Sequence, residues 1–128
     1  MISGDILGER SRLSPDRTAV VEVATGRRLS YREMDHRAAT CARAWLYTLG
    51  LKRGDRIGIL SGNRLEFLDA FFAAGKSGVI LVPLGTRLTS AELAVIAADC
   101  RLSALVYGGE YAETVRELRS QVDVGRFI

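Results

Sequence analysis

Arg56-Ile57-Gly58-Ile59-Leu60, launched from Lys52-Arg53-Gly54-Asp55, is the segment on which the reading of the fold turns. It is short, apolar after its first residue and bounded by a Gly-Asp turn, which reads as a buried strand. Two runs of the same kind follow, Val79-Ile80-Leu81-Val82 and Ala104-Leu105-Val106-Tyr107, at intervals of 22 to 25 residues. Helical signals fill both intervals. Strands separated in this way by helices imply right-handed βαβ crossovers and a parallel sheet. Runs that are apolar throughout fit a sheet covered on both faces. Pro83 has no N–H to donate and ends the ladder of its strand. The expected class is therefore α/β: a parallel sheet with flanking helices.

The helices announce themselves by their starts. Asn63 with Glu66, and Thr89 with Glu92, have the spacing of a capping box, in which each side chain satisfies backbone donors orphaned at a helix start. The first predicts a helix to about Lys76, the second a helix to about Asp99. A further helix is expected over 110–121, and 124–128 is open to one more strand. Upstream, residues 3–14 predict a short opening helix closed by Ser14-Pro15. Thr18 to Val23 and Arg28 to Ser30 read as a small antiparallel hairpin about the turn 24–27. Ser30 and Glu33 make another capping box, followed by an apolar stripe at Tyr31, Met34, Ala38, Cys41, Ala42, Trp45, Leu46 and Leu49. Gly50 is the expected left-handed stop, and the stripe is read as packing.

Composition removes several classes of function. Of 128 residues, 48% are hydrophobic and 26% charged, as in ordinary globular proteins. The net charge is +3, carried by 16 Arg and 2 Lys that are scattered rather than clustered, so no nucleic-acid partner is expected. Cys41 and Cys100 with the single His36 cannot complete a four-ligand metal site. The two cysteines read as small buried residues of a reducing compartment, and His36, between Asp35 and Arg37, as part of a solvated helix surface. Met1 to Asp5 lack the basic-then-apolar order of a signal peptide. The most apolar stretch, 65–84, carries Glu66, Asp69 and Lys76, which a membrane span would not tolerate cheaply. A cytoplasmic protein without a membrane span is expected.

Residues in patterns that carry chemistry are few. The strand-to-helix turn Ser61-Gly62-Asn63 has one glycine, and Gly108-Gly109 lacks the third that a dinucleotide-binding loop requires. Gly75-Lys76-Ser77 ends like a Walker loop, but Ala70 stands where its first glycine should be, and the segment closes a helix rather than opening one. Lys76 is accordingly read as a charge complementing the helix dipole. No nucleophile elbow, no paired carboxylates and no H-E-x-x-H occur. No catalytic and no metal-ligating residue is assigned.

Five segments nevertheless belong together. Leu29-Ser30-Tyr31-Arg32-Glu33-Met34 resembles an L-[ST]-Y-x-E-L motif, and Leu49 to Ile57 resembles L-G-V-x-x-G-D-R-V. Asn63 with Glu66-Phe67 resembles an N-x-x-E-F/W helix start. Gly75 to Val79 and Val82 to Thr89 resemble K-x-G-A-x-x-V-P-L-N-x-R-L-T, with Glu92-Leu93 following in place. These are motifs of the adenylate-forming ligases, in an order that covers roughly residues 13–107. Thr86-Arg87-Leu88-Thr89 resembles the acyl- and aryl-CoA ligases more than the adenylation domains of peptide synthetases. Gly85, where the former usually carry Asn, departs from the pattern and leaves the acid open. The resemblance implies that residues 1–128 are the N-terminal subdomain of an AMP-forming acyl-CoA synthetase whose remainder is its partner. Such a parent uses ATP, Mg²⁺ and CoA to convert a carboxylic acid to an acyl-adenylate and then a thioester. The phosphate-binding loop ending in P-K-G, the aromatic-x-x-T-E motif and the C-terminal lysine of the family do not occur within 1–128, so this stretch is expected to be inactive alone. Its end on Gly125-Arg126-Phe127-Ile128, apolar and strand-like, reads as a cut across a longer chain. Self-association, such as a homodimer through the apolar surface left uncovered, is expected of it. Arg87, just past a strand end, resembles a contact for the nucleotide phosphate of CoA. A surface salt bridge or a helix-end contact is the alternative for Arg87. For the chain as a whole the alternatives are a non-catalytic binding module derived from a ligase, or an unrelated Rossmann-like nucleotide-binding domain.

Overall fold

Asp5 opens the first helix by accepting the Gly8 N–H at 3.0 Å. In this computed structural model, which describes residues 4–128, that helix is α1, Ile6–Leu13. Residue 3 of the expected helix, and most of the Met1 to Asp5 leader reading, lie outside the described residues. The chain resolves into two units, one made of its N-terminal part to Lys52 with Leu68–Gly78, the other of Arg53–Phe67 with Val79–Ile128.

In the first unit, β1 (Thr18–Val21) and β2 (Arg28–Ser30) form the expected antiparallel hairpin. Its first strand stops two residues short of Val23. Glu22 is already in the turn, its carbonyl accepting the Gly26 N–H and its N–H donating to Arg27, each at 2.8 Å. Helix α2, Tyr31–Arg43, starts on Ser30, whose hydroxyl accepts the Glu33 N–H at 3.1 Å. The Ser30 hydroxyl donates to the Glu33 carboxylate at 3.2 Å. The stripe does pack: Met34, Ala38, Ala42 and Trp45 are buried. Over Ala44–Thr48 the helix widens to a π turn, with the Leu49 N–H reaching back to Ala44, before Gly50 turns the chain at φ +70°. Cys41 and Cys100, expected as small buried residues, are both half-buried. Cys41 lies on the flank of the α2 stripe, and Cys100 is the last residue of its helix, where a side chain is covered on one side only.

Helix α3, Leu65–Ser77, begins two residues after Asn63. The Phe67 N–H bonds the Arg64 carbonyl at 3.1 Å, so Arg64 occupies the cap position that the Asn63–Glu66 spacing suggested for Asn63. The portion of α3 from Leu68 onward belongs to the first unit, where Ala70 and Ala73 are buried. Gly75 is required there: a Cβ on it would stand 2.1 Å from the carbonyl oxygen of Gly4.

The second unit is the parallel sheet. β3 (Arg56–Leu60) is central, flanked by β4 (Ile80–Pro83) and β5 (Ala104–Tyr107), in the order β4-β3-β5. All of β3 after Arg56 is buried, as a covered strand should be, whereas β4 is exposed at both ends, with Ile80 47% exposed. Among the described residues it pairs with β3 alone. Helices α4 (Ser90–Cys100) and α5 (Ala112–Arg119) complete the unit, the latter preceded by a 3-10 turn at Gly109–Tyr111. Thr89 and Glu92 make the full capping box. Leu60, Leu84, Leu93, Leu102, Leu105 and Leu118 form the core. The last residues lie parallel to β5, with Leu105 donating to Arg126 at 2.8 Å and Ile128 donating to Leu105 at 2.9 Å. The α/β class expected from the strand spacing is thus what the chain adopts. No helix among the described residues is long and apolar enough to cross a membrane.

Candidate functional site

Parallel strands end on the same side of a sheet, and the loops that leave those ends are where α/β folds collect ligands. The register places Ile59 opposite Pro83 and Leu60 opposite Tyr107, so three strand ends arrive level. From them depart Ser61-Gly62-Asn63-Arg64, Leu84 to Thr89, and Gly108-Gly109-Glu110. Backbone bonds tie the loops to the sheet. The Leu84 N–H donates to Ile59 at 2.9 Å and the Gly108 N–H to Leu60 at 3.0 Å. Arg64 reaches the Glu110 carboxylate at 3.4 Å with both side chains about half exposed, a pair worth little to stability.

The loop after β4 is the most constrained. Leu84 is buried at one end, the Leu88 N–H bonds the Gly85 carbonyl at 3.3 Å, and the Thr89 capping box clamps the other end. A Cβ on Gly85 would sit 3.1 Å from Leu88 Cγ, so the departure from the usual asparagine goes with a turn closed tightly over Leu88. Arg87 is exposed at the top of this turn. Among the described residues it makes no hydrogen bond and no ion pair, so neither the salt bridge nor the helix-end contact weighed for it is formed. A guanidinium held out on an anchored loop can present a fork of donors to an anion. Nothing at this edge supplies a nucleophile with a base beside it. No group of three His, Cys, Asp or Glu that could hold a metal ion is brought together among the described residues.

The other unit offers an open groove of about 460 Å³ lined by His36, Arg37, Thr40, Cys41, Ala44 and Asp69. Its charge is internally spent. Arg37 grips Asp69 with both arms, Nε to Oδ1 at 2.9 Å and Nη2 to Oδ2 at 2.6 Å. Burial, with the Asp69 charge added to it, pushes the Cys41 thiol up to about 11, which leaves it a poor nucleophile at neutral pH. His36 is exposed, as a solvated helix surface predicts.

Sequence reasoning missed the ion pairs. Arg37 and Asp69 are 32 residues apart, and Lys76 bonds Asp35 and Asp5, 41 and 71 residues away. Lys76 is therefore more than a charge at a helix end. Its side chain is 12% exposed and fully engaged. The available signal was Asp69 and Lys76 standing inside the most apolar stretch of the chain, since a charge in such company needs a partner.

Comparison with known proteins gives a consistent picture. A family model for AMP-binding enzymes matches residues 7–127. The long-chain-fatty-acid–CoA ligase FadD13 of Mycobacterium tuberculosis is 36% identical over 120 residues, which is 94% of this chain and 24% of that protein. A feruloyl-CoA synthase of Amycolatopsis is 39% identical over 109 residues, 85% of this chain and 22% of its own length. The solved N-terminal domain of FACL13 from Mycobacterium tuberculosis superposes with a TM-score of 0.93 at 34% identity, covering 100% of this chain and 34% of that one. The chain spans about a quarter of the length of the curated relatives it matches.

Proposed function

The chain belongs to the AMP-binding enzyme family, and on that premise we propose that it is the N-terminal part of an AMP-forming carboxylic acid:CoA ligase. The parent activates its acid with ATP and Mg²⁺, releases pyrophosphate, and passes the acyl group to the thiol of CoA. The observation that carries this reading is the match to two CoA ligases along nearly the whole of this chain and only about a quarter of theirs. In that division of labour these residues are scaffold and loop platform, and the groups that handle the metal and the transferring phosphates of ATP come from the remainder of the polypeptide. The unrelated dinucleotide-binding alternative has no support once the family match is set beside the single glycine of the loop Ser61-Gly62-Asn63.

Arg87 is the residue of this chain to which we assign ligand contact, with a phosphate of the CoA nucleotide. Support comes from its exposure, its lack of any partner among the described residues and its place on an anchored loop. Exposed apolar side chains in both units, Leu13, Val23 and Tyr47 in one and Val95 in the other, are where the parent's remainder or a second copy would pack. The expected compartment is the cytoplasm, in keeping with two unbridged cysteines.

The experiment uses the parent ligase and this chain side by side. Acid-dependent ATP–pyrophosphate exchange and thioester formation are expected of the parent and not of residues 1–128. In the parent, Arg87→Ala raises KM for CoA roughly tenfold, the loss of one charge-assisted phosphate contact, and leaves exchange unchanged. An unchanged KM for CoA refutes the role of Arg87, and exchange by the isolated chain refutes the scaffold reading.

A further inference from the structure

Lys76 lies in the last turn of α3, and two carboxylates from two other elements compete for it. Asp5, at the head of α1, accepts its ammonium with both oxygens, at 3.0 and 3.2 Å. Asp35 Oδ1 from α2 accepts it as well. Burial alone would pull the Lys76 ammonium down, but the bonds to Asp35 and Asp5 outweigh it and hold its pKa above the ordinary 10.5.

Besides this clasp, helix α1 lies along α2, and the chain just ahead of it runs against Gly75. At eight residues it is shorter than an isolated helix needs to be in water. Leu7 is its one buried side chain, while Ile6 and Leu13 are 60% and 74% exposed. The exposed Arg10 stands over the half-buried Tyr31 ring at 5.6 Å. Asp5 is thus both the N-cap of α1, through the Gly8 N–H, and its electrostatic tether.

We propose that α1 is a releasable strap, clasped by Asp5 on Lys76, with Asp35 standing by to keep the lysine paired when the strap departs. The logic lies in what opening leaves behind. Removing the partner of a poorly exposed ammonium is ordinarily expensive, because the cation is left without water or counter-charge. Here departure of Asp5 leaves the Lys76–Asp35 pair intact and takes one of two crowded carboxylates into water. The opening is local, since it separates α1 from the unit without disturbing the pairing on which α2 and α3 rely. Asp35 therefore makes release of α1 easier, where a lone Asp5–Lys76 pair would lock the helix down.

The test is hydrogen–deuterium exchange of the α1 amides, Glu9 to Ser14, in the chain as it stands. Asp5→Asn keeps a good N-cap and deletes the tether, and it is expected to speed exchange of these amides about fivefold, the scale of one partly exposed ion pair. Asp35→Asn commits Lys76 to Asp5 alone and is expected to slow them. Glu9→Gln, which deletes an exposed pair within α1, changes them less than twofold. Unchanged exchange in Asp5→Asn overturns the clasp. Acceleration by Asp35→Asn matching that of Asp5→Asn shows a rigid three-residue cluster and overturns the substitution mechanism.

Discussion

Gly58 stands in the middle of β3, where any residue could adopt the backbone, yet a side chain there has nowhere to go. A Cβ built on it would lie 2.7 Å from Leu102 Cδ1 and 3.3 Å from Leu84 Cδ1. Two effects of Gly58→Ala oppose each other. Removing a glycine from a strand interior recovers about 0.5–1 kcal/mol of chain entropy. Forcing a methyl between two core leucines, against a comfortable carbon separation of about 3.5–4.0 Å, costs about 1–3 kcal/mol of overpacking. Leu102 and Leu84 are 5% and 6% exposed, so neither can swing into solvent. The clash wins, and a net loss of roughly 1–2 kcal/mol is expected. Leu102→Val deletes the offending Cδ1, so in that background the same glycine change should turn neutral or stabilising by up to about 1 kcal/mol. The single Trp45 is in the other unit, so its fluorescence is the wrong probe. Exchange of the β3 amides reads the effect directly, at about tenfold in rate per 1.4 kcal/mol. Equal destabilisation in both backgrounds would refute the assignment of the cost to Leu102.

Two more predictions concern the α2–α3 groove. A Cys41 thiol with its pKa near 11 should react with iodoacetamide at pH 8 roughly 100-fold more slowly than the same thiol in the unfolded chain, from the thiolate fractions alone. The sign for stability follows: the folded form holds its proton where the unfolded form has lost it, so stability falls as pH rises from about 9 to 11. Mass-spectrometric rates and urea midpoints across that range check both. For Arg37 and Asp69, a cycle of Arg37→Leu, Asp69→Asn and the double variant should return a coupling of about 1–3 kcal/mol, because the contact is bidentate and partly buried. Denaturation followed by Trp45 fluorescence measures it, and a coupling under about 0.5 kcal/mol would mark the pair as ordinary surface charge.

What could be read from the sequence was what is decided locally. β3, β5 and the Thr89–Glu92 capping box fall where the residues place them, because a short apolar run and a reciprocal cap are each specified within five residues. The boundaries that slipped did so where a neighbour competes. Asn63 yields the cap to Arg64, and the β1 strand yields Val23 to a turn whose bonds begin at Glu22. The π turn after Arg43 was not legible, since Ala44 to Thr48 are too few residues for their apolar spacing to tell a π turn from an α turn.

The candidate site was legible in a different sense. Periodicity and charge said nothing of Arg87, and its selection rested on the P-L-x-x-R-L resemblance. The structure shows how the loop that carries this arginine is anchored. Leu84 buries one end of the loop and Leu88 folds over Gly85. The Thr89 cap fixes the other end, so the arginine between them is held out with no partner among the described residues. An arginine on a loose loop would lose side-chain and backbone freedom on gripping an anion, whereas for Arg87 the backbone share would be settled before any anion bound. The contrast with Arg37 makes the point. Arg37 carries the same guanidinium, but Asp69 already satisfies both its arms. Any anion seeking Arg37 must first displace a carboxylate, and one seeking Arg87 displaces only water.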